Sequence, residues 1–133
     1  MNSNQRIIKK NIEVLYPKLS YTISGICFEI HNSRGRFCKE KQYSDEFENI
    51  LKLKSIPYKR EFAIEIDGRS SGDRIDFVVN DQIIIELKAK KFLTKEDYYQ
   101  VKRYLKALNM KLGILLNFRD TYIKPKRILV SHS

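Results

Sequence analysis

Residues 74–88, Arg74-Ile-Asp-Phe-Val-Val-Asn-Asp-Gln-Ile-Ile-Ile-Glu-Leu-Lys88, decide how the rest of the chain is read. Ile75, Phe77, Val78 and Val79 form an apolar stretch around Asp76 that breaks at Asn80-Asp81 and resumes at Ile83. Asn and Asp tolerate the backbone of a tight reversal, so the spacing predicts two antiparallel strands, 74–79 and 82–88. The near-continuous apolar run of the second suits a strand covered on both faces. Glu86 and Lys88 interrupt it. Being two apart, they leave the same face while Ile85 and Leu87 leave the other. If the reversal spans residues 80–82, Asp76 falls opposite Glu86 and the two carboxylates share a face; a two-residue loop would set Asp76 opposite Ile85 instead. Burying charges inside a sheet costs several kcal/mol unless they are paired, which marks the cluster as a candidate site. Two close carboxylates repel unless a cation lies between them, and oxygen ligands favour a hard ion such as Mg²⁺ or Mn²⁺. Lys88 would then sit beside a metal-bound water. The plainer alternative is a cross-strand ion pair on a solvated face, against which the apolar run around Glu86 argues.

Working outward, Tyr58, Arg60, Phe62, Ile64 and Ile66 alternate with polar or small residues, predicting a half-buried strand over 58–66, and the Gly- and Ser-rich stretch 67–73 is its turn. Upstream, three helices are expected. The first carries Ile8, Ile12 and Leu15 and stops near Pro17; the second is capped by Ser20, with Ile23, Cys27 and Ile30 on one face and Gly35 beyond its end; the third spans 37–54 around Tyr43, Phe47, Ile50 and Leu51. Downstream, Thr94 and Asp97 form a capping box for a helix to about residue 109, with strands at 111–118 and 126–130 after it. Gln100 and Tyr104 lie one turn apart beside that helix's apolar stripe. Helices, then three strands, a helix and further strands argue for an α/β domain, a mixed central sheet flanked by helices.

At 133 residues the chain has room for one such domain, with residues 1–19 as a helical extension. Its 26 Lys and Arg against 16 Asp and Glu give a net charge of +10, a potential suited to a polyanion such as nucleic acid. Cys27 and Cys38 are too few for a disulfide framework and are read as reduced thiols, which favours the cytoplasm. No segment approaches the roughly 18 uncharged residues of a membrane span or signal sequence, so no membrane role is expected.

Asp76 followed by Glu86-Leu-Lys88 resembles the signature of the PD-(D/E)XK nuclease superfamily, and Gln100-x-x-x-Tyr104 resembles the additional motif of its RecB-like members. Glu29-Ile-His31, Gly35, Glu40, Tyr43, Ile85-Glu-Leu-Lys-Ala89, Leu112-Gly113 and Asn117-Phe118 are similar to the pattern of its GxxExxY proteins. Phe37 stands where the first glycine of that motif would be. The resemblance implies a restriction-endonuclease-like αβββαβ core and a Mg²⁺- or Mn²⁺-dependent phosphodiesterase site acting on nucleic acid, DNA first. It makes Asp76 and Glu86 metal ligands, Lys88 the signature lysine, and Gln100 and Tyr104 supports of the site or contacts to the substrate. It adds Glu40 as the acid that holds a metal-bound water and His31 as an extra ligand; Glu29, two residues from His31, cannot share its face. Lys90, Lys91, Lys102, Arg103 and Lys106 flank the site in sequence and are expected to contact phosphates. A homodimer is expected because so small a core offers little surface for a duplex. The competing reading is a module that keeps the nuclease fold without turnover and binds nucleic acid or a protein partner.

Overall fold

A computed structural model of the chain describes residues 15–132, so the helix expected around Ile8 and Ile12 lies outside the described residues. In chain order the elements are α1 (Pro17–Arg34), α2 (Glu40–Leu53), β1 (Tyr58–Ile66), β2 (Arg69–Val79), β3 (Ile83–Lys88), α3 (Lys95–Ala107), β4 (Leu112–Asn117) and β5 (Lys126–Leu129). One sheet of order β1-β2-β3-β4-β5 contains all the strands, parallel between β3 and β4 and antiparallel elsewhere. It is the mixed α/β architecture expected from the element order, a restriction-endonuclease-like core.

The sheet separates two apolar layers. Ile23, Cys27 and Ile30 of α1 and Tyr43, Phe47 and Leu51 of α2 cover one face. There they meet Phe77, Val79, Ile83, Ile85 and Leu87. Val101, Tyr104 and Leu105 of α3 cover the other, against Ile75, Ile84, Leu115 and Ile128. Burial of each such aliphatic or aromatic side chain contributes about 1.5–3 kcal/mol, so both layers outweigh any single cap. The apolar run of β3 is explained by this position: its residues feed both layers. Gly113 lets α3 approach closely, because a Cβ there would stand 2.5 Å from Val101 Cγ1.

Two local expectations are corrected. The second helix starts three residues before Ser20: Pro17 opens α1, where a proline at the first helical position lacks only an N–H that would be unsatisfied anyway. Ser20 is therefore not a cap; it lies buried inside α1, where its hydroxyl accepts from the Arg127 guanidinium. The alternation of β1 also fails to hold one face: Tyr58 serves the α1–α2 layer, whereas Phe62 and Ile64 serve the α3 layer and Ile66 is exposed. Glu61, between Arg60 and Phe62, takes a left-handed φ of 53°. Arg60 pairs with Phe77 and Phe62 with Ile75, while the intervening positions 61 and 76 are skipped in the register. The sheet thus changes which layer its inward residues serve at the position of Asp76.

Candidate active site

The reversal after β2 settles the geometry of the carboxylates. Asn80 and Asp81 both adopt left-handed φ, 53° and 54°, and Gln82 N–H closes on the Val79 carbonyl at 3.0 Å. The register Val79↔Ile83, Val78↔Ile84, Phe77↔Ile85 is the one that sets Asp76 opposite Glu86. Beyond that last pair the ladder ends, and Asp76 Oδ2 accepts from Leu87 N–H at 2.8 Å. The side chain takes the place of a strand carbonyl, which anchors one carboxylate oxygen.

Glu86 is only 2% exposed, and its Oε1 is buried with no hydrogen-bond partner. Burial, and next the Asp76 charge beside it, push its carboxyl up to about 9; Lys88 offsets this only in part. A buried carboxylate normally has its lone pairs satisfied, so an orphaned oxygen on a glutamate beside a second carboxylate suits a further positive partner. The donor set fits a hard divalent cation: two carboxylates, oxygen only, one held by a backbone N–H and the other with a buried, unpartnered oxygen. Among the described residues no group of three or more His, Cys, Asp and Glu converges, so the candidate centre rests on two carboxylates.

Helix α3 carries the remaining members of the cluster. Its start is built as the sequence suggests: Asp97 N–H reaches Thr94 Oγ1 at 3.3 Å while Thr94 N–H reaches Asp97 Oδ2 at 2.7 Å. The helix then presents Gln100, whose Oε1 accepts from Lys88 Nζ at 3.3 Å. One turn later Tyr104 is buried, and its phenol is pushed up to about 12 by burial and then by the charges of Glu86, Asp73 and Asp76. It stays protonated and can only offer its O–H as a neutral donor or accept. Asp76, Glu86, Lys88, Gln100 and Tyr104 are thus brought together.

Glu40 stands on the other side of Asp76. The two line a cavity of about 240 Å³ with Lys41, Ser44, Arg60 and Glu61. Asp76 reaches both this cavity and Glu86 because it sits where the sheet changes layers.

His31 corrects the expectation of a third ligand. Its Nε2 lies 2.9 Å from the Asp120 carbonyl, and its ring stacks on Phe118 at 6.4 Å. It braces the turn after β4 and does not converge with Asp76 and Glu86. Glu29 is exposed, as its spacing from His31 requires. Lys90 Nζ is held 2.9 Å from Asp97 Oδ2, with its side chain partly exposed. Burial pushes the Asp97 carboxyl up, but Lys90 and Thr94 together hold it below its ordinary value. Lys91, Lys102 and Lys106 are exposed, and Arg103 is exposed while paired to Glu96 at 2.7 Å.

Asn117, part of the resemblance but given no role by it, lies beside the cluster. It is 1% exposed and pairs with Lys88 across β3 and β4. Its Oδ1 accepts from Lys90 N–H at 3.0 Å and its Nδ2 donates to the Lys90 carbonyl at 2.7 Å. That pair of hydrogen bonds to one residue's backbone fixes the chain leaving Lys88. The signal was present: a lone amide ending the apolar strand Leu112–Asn117.

A family model described as the PD-(D/E)XK nuclease superfamily matches residues 17–128, from the first turn of α1 to β5. No curated protein and no solved structure matches the chain.

Proposed function

Because the chain belongs to the PD-(D/E)XK nuclease superfamily, we propose that it is a divalent-cation-dependent nuclease that hydrolyses phosphodiester bonds of nucleic acid, DNA first. Asp76 and Glu86 hold the cation, Mg²⁺ or Mn²⁺. The observation that carries this reading is the buried, unpartnered Oε1 of Glu86 beside a second carboxylate and a lysine. A disused site has no reason to keep that arrangement, since replacing buried charges by apolar groups is often neutral or stabilising.

When bound, such an ion polarises a phosphoryl oxygen and lowers the pKa of a water. The chain's own groups do the rest. Lys88, steered by Gln100, places positive charge where the attacked phosphate gains negative charge. Tyr104 offers a neutral O–H beside the carboxylates. Glu40, across the cavity from Asp76, accepts a hydrogen bond from the attacking water. Exposed Lys91, Lys102, Arg103 and Lys106 draw in the phosphate backbone, and the net charge of +10 supplies the long-range attraction. The motif Gln100-x-x-x-Tyr104 supports a RecB-like assignment within the superfamily, and the Glu40 and Tyr43 spacing supports a GxxExxY one. The one observation on the side of a non-cleaving module is the two-carboxylate donor set.

Calorimetry with Mn²⁺ followed by cleavage of plasmid and single-stranded DNA tests the proposal. Glu86→Ala should abolish Mn²⁺ binding and lower cleavage by orders of magnitude while leaving duplex binding in place. Lys88→Ala should keep Mn²⁺ and lose turnover. If both well-folded variants cut at the parent rate, the nuclease reading fails.

A further inference from the structure

Three residues outside the carboxylate cluster form a feature that its chemistry does not use. Phe37, in the connection between α1 and α2, is 72% exposed. The guanidinium carbons of Arg36 and Arg119 each lie 4.9 Å from its ring centroid. An exposed phenylalanine is unfavourable in water, and both arginines lack a carboxylate partner among the ion pairs of the described residues. The feature is built, not loose. Arg36 Nε donates to the Arg119 carbonyl at 2.8 Å, linking the two connections. Arg119 N–H reaches Asn117 Oδ1 at 3.3 Å, and His31 holds the neighbouring Asp120 carbonyl. Beneath them Phe118 stacks on Tyr43 at 4.1 Å with an interplanar angle of 7°, and Tyr43 Oη donates to the Gly35 carbonyl at 2.6 Å while accepting from Cys38 N–H. Both ends of the 35–38 connection are thereby clamped.

The feature is tied to the candidate active site on both sides. Phe118 N–H donates to the Lys88 carbonyl at 2.8 Å, so Arg119 continues directly from the strand beside the lysine. Phe37 lies three residues before Glu40, which shares a cavity with Asp76. A largely exposed ring beneath two guanidiniums that have no carboxylate partner among the described residues matches a nucleobase flanked by phosphates: the base stacks on the exposed part of the ring or on a guanidinium plane, and the phosphates meet the charges. Bases inside an intact duplex are already stacked on one another and offer no free face.

We propose that Arg36, Phe37 and Arg119 form a stacking platform for an unpaired nucleobase, so that the substrate presents single-stranded nucleic acid beside the carboxylate centre. This rests on the nuclease reading for its location but not for its test. Fluorescence anisotropy in EDTA measures binding without cleavage, using a single-stranded 20-mer, the same strand with abasic sites, and a blunt duplex. Phe37→Ala should weaken the single strand roughly five- to a hundredfold and leave the abasic strand and the blunt duplex within about twofold. Phe37→Tyr should restore most of the affinity. Arg119→Gln should lower the salt slope for the single strand by about 0.7. The side chain of Phe37 is exposed, so a thermal melt matching the parent confirms that the loss is local. Unchanged single-strand affinity in Phe37→Ala, or equal loss on all three probes, overturns the platform. Wild-type cleavage with Mn²⁺, assayed in parallel, separates the two ideas: cleavage without a Phe37 effect sinks the platform alone, and a Phe37 effect without cleavage sinks the nuclease reading alone.

Discussion

Glu86→Gln should make the cation-free protein more stable. The substitution keeps the shape of the side chain and removes the cost of holding a proton that the unfolded chain would release. In the folded protein the Glu86 carboxyl is raised from 4.5 to about 9, so between those values the native state binds a proton that the unfolded chain has released. Stability from this group is therefore complete below pH 4.5, falls as pH rises, and reaches its lowest level above pH 9. Each pH unit in that window costs about 1.4 kcal/mol, so the interval from 4.5 to 7 costs about 3 kcal/mol. Glutamine does not titrate, and the variant should melt roughly 10 °C higher than the parent at pH 7. Asp45, Glu48 and Asp97, whose carboxyls their basic or hydroxyl partners hold low, lose stabilisation in acid, but equally in both proteins. The difference between the two melting curves isolates Glu86. It should close near pH 4.5 and widen steadily to pH 8. Mn²⁺ should reverse the order by stabilising the parent while leaving the glutamine variant unmoved. Equal melting temperatures at pH 7, or a gap that does not grow with pH, would refute the argument that Oε1 is desolvated and unpartnered.

Gly113→Ala should destabilise by about 1–3 kcal/mol in urea melts, because its Cβ meets Val101 Cγ1 at 2.5 Å. Combining it with Val101→Ala should recover part of that loss, and simple additivity of the two changes would contradict the close approach. Asn117→Ala leaves the Lys90 backbone N–H and carbonyl short of partners, costing about 1–3 kcal/mol; Mn²⁺ titration should show the ion still bound while turnover falls, because the chain leaving Lys88 is no longer held. Lys90→Gln should change stability by less than about 1 kcal/mol, since its pair with Asp97 is partly solvated, and should leave the salt slope for duplex binding as it was.

The sequence made β3 legible because a strand feeding two layers tolerates an apolar run as dense as Ile83-Ile84-Ile85 and Leu87. The same run made Glu86 conspicuous, and turn chemistry at Asn80-Asp81 then fixed its partner. Capping at Thr94 was legible for an equally local reason. What escaped depends on contacts distant in sequence. Ser20 suits a helix cap as well as a helix interior, and the start of α1 at Pro17, three residues earlier, sets it in the interior against Arg127, far away in sequence. His31 was a plausible ligand by type alone, whereas its partner, the Asp120 carbonyl, lies 89 residues away. Lys90 reads in the sequence as one more phosphate-binding base, and only the fold sets Asp97 beside it.

The least legible feature organises the site. Period-two alternation in β1 presumes a flat strand, and nothing in Tyr58-Lys-Arg-Glu-Phe-Ala-Ile-Glu-Ile66 announces that Glu61 turns left-handed. A glutamate in that conformation is uncommon and strained. Its consequence lies one strand away. Because the pairing at positions 61 and 76 is skipped, Asp76 is released from strict alternation between faces. It bonds Leu87 N–H, stands beside Glu86 and still borders the cavity of Glu40. Had the alternation continued, Asp76 would have served one layer only, and Glu40 and Glu86, on opposite faces of the sheet, would have had no group between them. Glu61→Gly accepts the left-handed backbone without strain and should leave cleavage intact. Glu61→Val opposes it, so a folded Glu61→Val protein should lose Mn²⁺ affinity although no ligand has been touched. If Glu61→Val binds Mn²⁺ as tightly as the parent, the change of layer at this position has no part in assembling the centre.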